Sequence, residues 1–393
     1  MWPLSISKGY TMKRIPLLSA LAAISMISPS TQAGDLNING FLSVGVGMLD
    51  NNDVTLDGFD NNGNFKNDTI LGLQISKLVN EKTTVTGQLV SRGTDDYATE
   101  SAWAYVSYAA NNDLDLRMGR LRVPFYYYSD FLEVGYAYDW VRPPSEVYSV
   151  PFSSIDGVDA SYRFSLGNWD NSAQVYYGRF TPNGAGVDLK NFTGLALTSS
   201  TGDFSLRASY HRLEIESDGT GTFGAANTAA VAGITALKPL LNPTNDAALD
   251  AQIDQVAADF SLTGQEIGFY GLAAGYDNGN ISAIAEYTQG FADTPFFPSG
   301  TTYLVKLGKR FGDFASHLTY TASENELESG LEGDIQKALG LENKQSSIIA
   351  GLRYDYDSST ALKFEVQNHD EEIVNGAKGE SAMLYTVAID LVF

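Results

Sequence analysis

Apolar residues fall on alternate positions over most of the chain. Met383, Tyr385, Val387, Ile389, Leu391 and Phe393 form an unbroken row to the last residue. Leu362, Phe364 and Val366 alternate with Lys363, Glu365 and Gln367. Ile38, Leu42, Val44, Val46 and Met48 share one parity, interrupted at Gly40. A period of two predicts strands with one apolar face, because successive side chains leave opposite faces of a sheet. Beyond residue 33 no apolar run approaches the roughly eighteen residues that a membrane-spanning helix needs. Sixteen candidate strands begin near 36, 65, 82, 100, 114, 154, 171, 190, 203, 265, 280, 301, 313, 346, 360 and 382.

The connections between these strands are of two kinds. After even-numbered strands they are tight, as at Asn111-Asn112-Asp113, Gly167-Asn168, Ser200-Thr201-Gly202, Asn278-Gly279 and Ser358-Ser359. After odd-numbered strands they are mostly long and polar, including 49–63, 121–153, 216–264 and 323–345. Segments of about ten alternating residues, with short turns on one side and long loops on the other, predict a transmembrane antiparallel β-barrel. A soluble β-sandwich also alternates, but it seldom needs so many strands in one chain. Both ends of the barrel then lie on the short-turn, periplasmic side. In hydrocarbon every backbone donor and acceptor must be paired internally, and closing the sheet achieves this without helices.

Composition narrows the compartment and removes several functions. The 393 residues include 22 Tyr and 20 Phe, with 18% charged residues and no cysteine. Mean hydropathy is only −0.13, as expected when alternate residues face water. Thiol chemistry and cysteine-based metal sites are therefore excluded. A formal charge of −22 argues against binding a phosphate backbone, and the aromatic content argues against disorder. Lys13 and Arg14 precede an apolar run from Ile15 to Ile27, and the small residues up to Ala33 offer a cleavage site. Residues 1–33 thus read as a secretory signal peptide, with Met12 as an alternative start, and 34–393 as the barrel. Removing the signal leaves 22 basic residues against 47 acidic ones, or −25.

With its signal peptide, strand-turn pattern, terminal Tyr385…Phe393 row and Met118-Gly119-Arg120 strand end, the chain resembles the Gram-negative general porins. The resemblance implies a sixteen-stranded, homotrimeric, water-filled channel in the outer membrane, surrounded by lipopolysaccharide. It also implies that the barrel-assembly machinery reads the terminal row ending in Phe393. The third external loop would fold inward and narrow the pore, and 121–153 occupies that position. The Pro-Glu-Phe-Gly-Gly loop tip common in the family is lacking.

That loop carries ten aromatic residues between 123 and 152, and the acids Asp130, Glu133, Asp139 and Glu146. The aromatics read as wedges against the inner wall, or as a stacking track for sugars or aromatic solutes. Inside a pore the acids would set ion selectivity. Strand parity places Arg92, Arg163, Arg207, Lys306, Arg310, Arg353 and Lys363 on the lumenal face. An arginine on the lipid face at mid-membrane costs about 2–4 kcal/mol, which favours that assignment. Arg120 shares the outward parity of Leu116 and Met118, whereas the resemblance places it in the pore. A bulge would reconcile the two, and Arg117 is the alternative by parity. Tyr105, Tyr108, Tyr354, Tyr356 and Tyr385 suit interfacial girdles.

In 216–264, Leu249, Ile253, Val256 and Phe260 recur at helical spacing, predicting a short helix bounded by Pro239 and Pro243. Acidic residues in 49–63 and 323–345 read as solvated faces, or as divalent-ion contacts near lipopolysaccharide. His211, His317 and His369 are the only histidines, none in a His-x-Ser arrangement, so neither catalysis nor a metal or cofactor site is expected. The expected function is passive diffusion of small hydrophilic solutes, with mild cation preference. A channel selective for sugars or small organic anions, with as many as eighteen strands, is the alternative; a structural or adhesive barrel without a pore is a third.

Overall fold

The computed structural model describes residues 36–51, 54–149 and 152–393. The expected signal peptide lies outside them. The first half of the barrel comprises β1 (Leu36–Leu49), β2 (Ile70–Asn80), β3 (Thr83–Arg92), β4 (Thr99–Ala109), β5 (Leu114–Arg122), β6 (Ser154–Leu166), β7 (Trp169–Phe180) and β8 (Val187–Thr201). The second comprises β9 (Phe204–Ser217), β10 (Gln265–Asp277), β11 (Ile281–Ala292), β12 (Ser299–Phe311), β13 (Phe314–Glu326), β14 (Lys344–Asp355), β15 (Thr360–Val374) and β16 (Ser381–Val392). A two-residue extension, Ala377–Lys378, pairs with the end of β15. Each strand is hydrogen-bonded antiparallel to its neighbours in sequence, and β16 closes the ring on β1. The count of sixteen and the expected strand starts hold, most within three residues and the second five later.

Parity fixes the two faces. On β12, Tyr303, Val305 and Leu307 are exposed while Leu304 and Lys306 are buried. On β16, Tyr385 and Val387 are exposed while Leu384, Thr386 and Asp390 are buried. Outward aromatics gather at two levels. Near the short turns stand Tyr162 with Phe164, Phe204 with Tyr276, and Phe314 with Phe311 and Tyr354. Tyr270 with Tyr287 and Tyr303 with Tyr320 form the upper level. Tyr303 and Phe311 on β12 are eight residues apart, about 27 Å along the strand and about 20 Å in height at the usual tilt. That matches an apolar membrane belt. Tyr105 departs from the girdle expectation: it faces inward, its ring 5.4 Å from the Arg117 guanidinium.

The seam between the first and last strands explains the break at Gly40. Its N–H donates to the Phe393 carbonyl at 2.7 Å, and its own carbonyl accepts from Phe393 at 3.0 Å. A Cβ at residue 40 would lie 2.3 Å from the Phe393 ring, which occupies that space. The terminal phenylalanine is thus a piece of the closure.

Among the described residues the external loops contain four α-helices. In 218–264 these are α1 (Gly221–Ala236), α2 (Lys238–Leu241) and α3 (Ala247–Asp259). The loop after β13 contributes α4 (Leu331–Ala338). The helix expected around Leu249 is α3, capped by the Asp246 side chain. Its neighbours escaped the pattern, because α1 is rich in Ala, Gly and Thr with no apolar stripe. Ile234, Ile253, Val256, Phe260 and Ile335 form one cluster, so helices of the two loops pack together.

Two measurements test this frame. A cysteine at Ser329 should react with an impermeant maleimide on intact cells, and one at Asn112 should not; the reverse pattern would invert the topology. Deleting Phe393 should lower the yield of folded barrel without affecting export across the inner membrane, as read by heat-modifiable mobility.

Candidate pore constriction

The segment 123–153 leaves β5 and crosses the barrel. Near its start, the Pro124 carbonyl accepts from Arg207 at 2.8 Å and the Phe125 carbonyl from Ser209 at 3.0 Å, both on β9. Further on, the carbonyls of Gly135 and Trp140 accept from Lys363 on β15, each at 2.6 Å. A Cβ at Gly135 would meet Asp390 of β16 at 2.2 Å and Ser43 of β1 at 2.5 Å, so only glycine allows this approach. In a ring of sixteen strands β9 stands opposite β1. The loop therefore spans the lumen.

Its irregular backbone leaves groups that no ladder pairs, and the wall supplies partners. Glu286 accepts from the Tyr127 N–H at 2.8 Å and the Tyr148 hydroxyl at 2.5 Å. Glu365 accepts from the Val141 N–H at 3.1 Å. Arg353 donates to the carbonyls of Tyr136 and Tyr138 at 2.7 and 2.9 Å. Trp140 is fully buried and donates its indole N–H to Thr319 at 2.9 Å. On the β7–β10 side rings add to the Arg207 and Ser209 bonds: Phe125 sits 5.9 and 5.3 Å from the rings of Phe192 and Phe269 on the wall, and 5.8 Å from Phe152 of the loop itself. The loop aromatics pack against the wall.

The loop acids have separate fates. Glu133 is clamped by Arg92 of β3 and, at 2.9 Å, by Arg122 of β5. Glu146 is buried against Ser347 and His369. Neither offers a free charge to a passing ion, contrary to expectation. Asp139 pairs with Lys306; burial disfavours its charge, but the ammonium holds its carboxyl below the usual range. Asp130 is the exposed acid.

The wall assignments by parity hold for Arg92, Arg207, Lys306, Arg353 and Lys363, all of which reach the loop. Arg163 is inward but sits at the short-turn end, bonded to the Asn112 carbonyl and paired with Asp115, away from the constriction. Arg120 is corrected. The ladder on both sides of β5 runs without a shift, so the residue keeps the parity of Met118 and pairs with exposed Asp156 on the outer side. Arg117 is the inward one, bonded to buried Asp159 at 2.9 Å. Glu286 and Asp390 went unremarked in the sequence, and Glu365 was placed on the polar face of its strand without a role. Each is a carboxylate on the inward parity of an apolar strand, and that signal would have found them.

Ser347, His369 and Glu146 resemble a hydrolytic constellation by composition alone. Ser347 Oγ and Glu146 Oε1 lie 2.9 and 3.2 Å from the same nitrogen, Nδ1 of His369. A relay needs nucleophile and orienting carboxylate on opposite nitrogens. Glu371 is 3.8 Å from Nε2, beyond hydrogen-bond reach. All three groups fasten the loop.

No family model matches the sequence, and comparison with curated proteins gives no match. Solved structures do match in shape. Outer-membrane expressed OmpT of Vibrio cholerae superposes with a TM-score of 0.57 at 12% identity, over 93% of this chain and 99% of that one. The anion-selective porin from Comamonas acidovorans gives 0.56 at 13%, over 91% and 99%. Salmonella typhi OmpF in complex with daunomycin gives 0.55 at 14%, over 92% and 98%. The chain has the porin fold. That fold is a closed ring of sixteen antiparallel strands.

If wall carboxylates seat the loop, Glu286→Ala strands the Tyr127 N–H and the Tyr148 hydroxyl and should cost about 1–3 kcal/mol. Chymotrypsin should then cut near Tyr127 and Tyr128 in detergent-solubilised barrel, where the wild type resists. Unchanged protection would mean that aromatic packing alone holds the segment.

Proposed function

We propose that this porin-fold barrel is a passive diffusion channel for small hydrophilic solutes and ions. The observation that carries the reading is the loop laid across the lumen from β9 to β15, with an exposed acid on it and charged side chains on the wall around it. Solutes are then sorted by the width beside the loop and by the field between its carboxylates and the wall cations. Two unit charges about 8 Å apart at an effective ε near 20 interact by about 2 kcal/mol, enough to bias an ion's path. Asp130 faces water while most other loop acids are paired, so the preference is mildly for cations.

We take the channel to work without catalysis; what supports this is that Ser347 and Glu146 meet the same nitrogen of His369, which is not a relay. A trimer form exists of the Vibrio OmpT barrel, and we take three copies as the assembly here. Lipopolysaccharide surrounds the upper girdle, and the assembly machinery that inserts barrels reads the terminal strand.

Purified protein in planar bilayers tests the proposal. It should give stepwise conductance increments in KCl, with a reversal potential showing cation preference in a salt gradient. Asp130→Asn should move that potential towards anions, whereas Lys306→Met should move it towards cations. Absence of conductance in folded protein would overturn the channel, and unmoved potentials in both variants would overturn the assignment of selectivity.

A further inference from the structure

The inner wall of a channel for hydrophilic solutes should be polar, yet one sector of this barrel is apolar on its lumenal face. Leu189 and Phe192 of β8, Leu213 and Ile215 of β9, and Ile267 and Phe269 of β10 all point inward near the external end. They line a cavity of about 440 Å³ together with Phe125 and Phe152 of the crossing loop. Phe223 of α1 and Phe297 before β12 also line it. The volume lies within the range of small-molecule pockets, and the lining has their apolar character.

Phe152, Ile267, Phe269 and Phe297 are only half-buried, so the crossing loop does not use up this surface. Among the described residues the lining includes no carboxylate. Arg212 is paired with Glu266, and His211 is bonded to the Tyr176 hydroxyl at 2.6 Å. A charged ligand would find no counter-charge here. The walls are built of rings set at angles: Phe125 lies 4.8 Å from His211 and 5.3 Å from Phe269, at 60° and 78°. Faces and edges so arranged offer a flat ring both stacked and edge-on partners.

We propose that this cavity is a binding site for small, neutral, aromatic solutes. A ligand lodged there sits beside the crossing loop, off the charged path. The inference rests on the channel reading only for access from outside, and binding can be measured without any ion crossing.

The probe is indole, followed by saturation-transfer NMR with the full-length mature barrel in lipid nanodiscs, against empty nanodiscs. Saturable binding is expected, with at least five-fold weaker affinity in Phe269→Ser. Because that variant alters ring packing, Ile267→Asn serves as a second, with heat-modifiable mobility reporting folding in each. Cyclohexylmethanol should bind at least five-fold more weakly than benzyl alcohol. A signal no greater than that of empty nanodiscs, equal affinity in both folded variants, or equal binding of the two alcohols would overturn the proposal. Wild-type KCl conductance, recorded on the same preparation, tests the channel reading separately.

Discussion

Within hydrocarbon a backbone N–H has no water to turn to, so every strand must find a neighbour on each side. In this chain the demand is met by a single antiparallel ring whose last link joins β16 to β1. Closure then dictates the rest. With register fixed all round, a side chain's parity decides whether it meets lipid or lumen. Gly40 and Phe393 show how local the requirement becomes, for the ring of one stands where the other has no side chain.

The same rule operates inside the lumen, where the crossing loop cannot join a ladder. Its carbonyls are taken by Arg207, Lys363 and Arg353, and its N–H groups by Glu286 and Glu365. Buried charges of this kind are tolerable only when paired and hydrogen-bonded, and here each has a loop group or an opposite charge as partner. Polar bonds hold the loop on both sides, from Arg207 on β9 and Glu286 on β11 round to Lys363 on β15, and rings add to them where Phe125 meets Phe192 and Phe269 of β8 and β10.

This arrangement explains what could be read from the sequence. Strand count, strand starts and the identity of long and short connections follow from periodicity, because each residue's face is set by its own strand. The inward orientation of Arg92, Arg207, Lys306, Arg353 and Lys363 follows likewise. Pairing does not. Whether Glu133 meets water or two arginines depends on how a 31-residue loop folds back on β3 and β5, and no local pattern encodes that. Arg120 shows the converse, since its own parity was right and the borrowed expectation was not. The α1 helix was hidden for a different reason: it buries small residues under a loop mat, and small residues leave no apolar stripe.

The fates of the loop acids bear on what controls the pore. A carboxylate held by guanidinium groups at contact distance presents a small residual dipole, whereas an exposed one presents its whole charge to an ion passing within a Debye length. Of the four acids that the loop brings into the barrel, Glu133 and Glu146 are fasteners and Asp139 is tied to Lys306. Selectivity thus concentrates on few groups even though the chain as a whole carries a large negative charge. Net charge describes the outer surface and the loops; the field that an ion meets at the narrowest point depends on which charges folding has left unpaired.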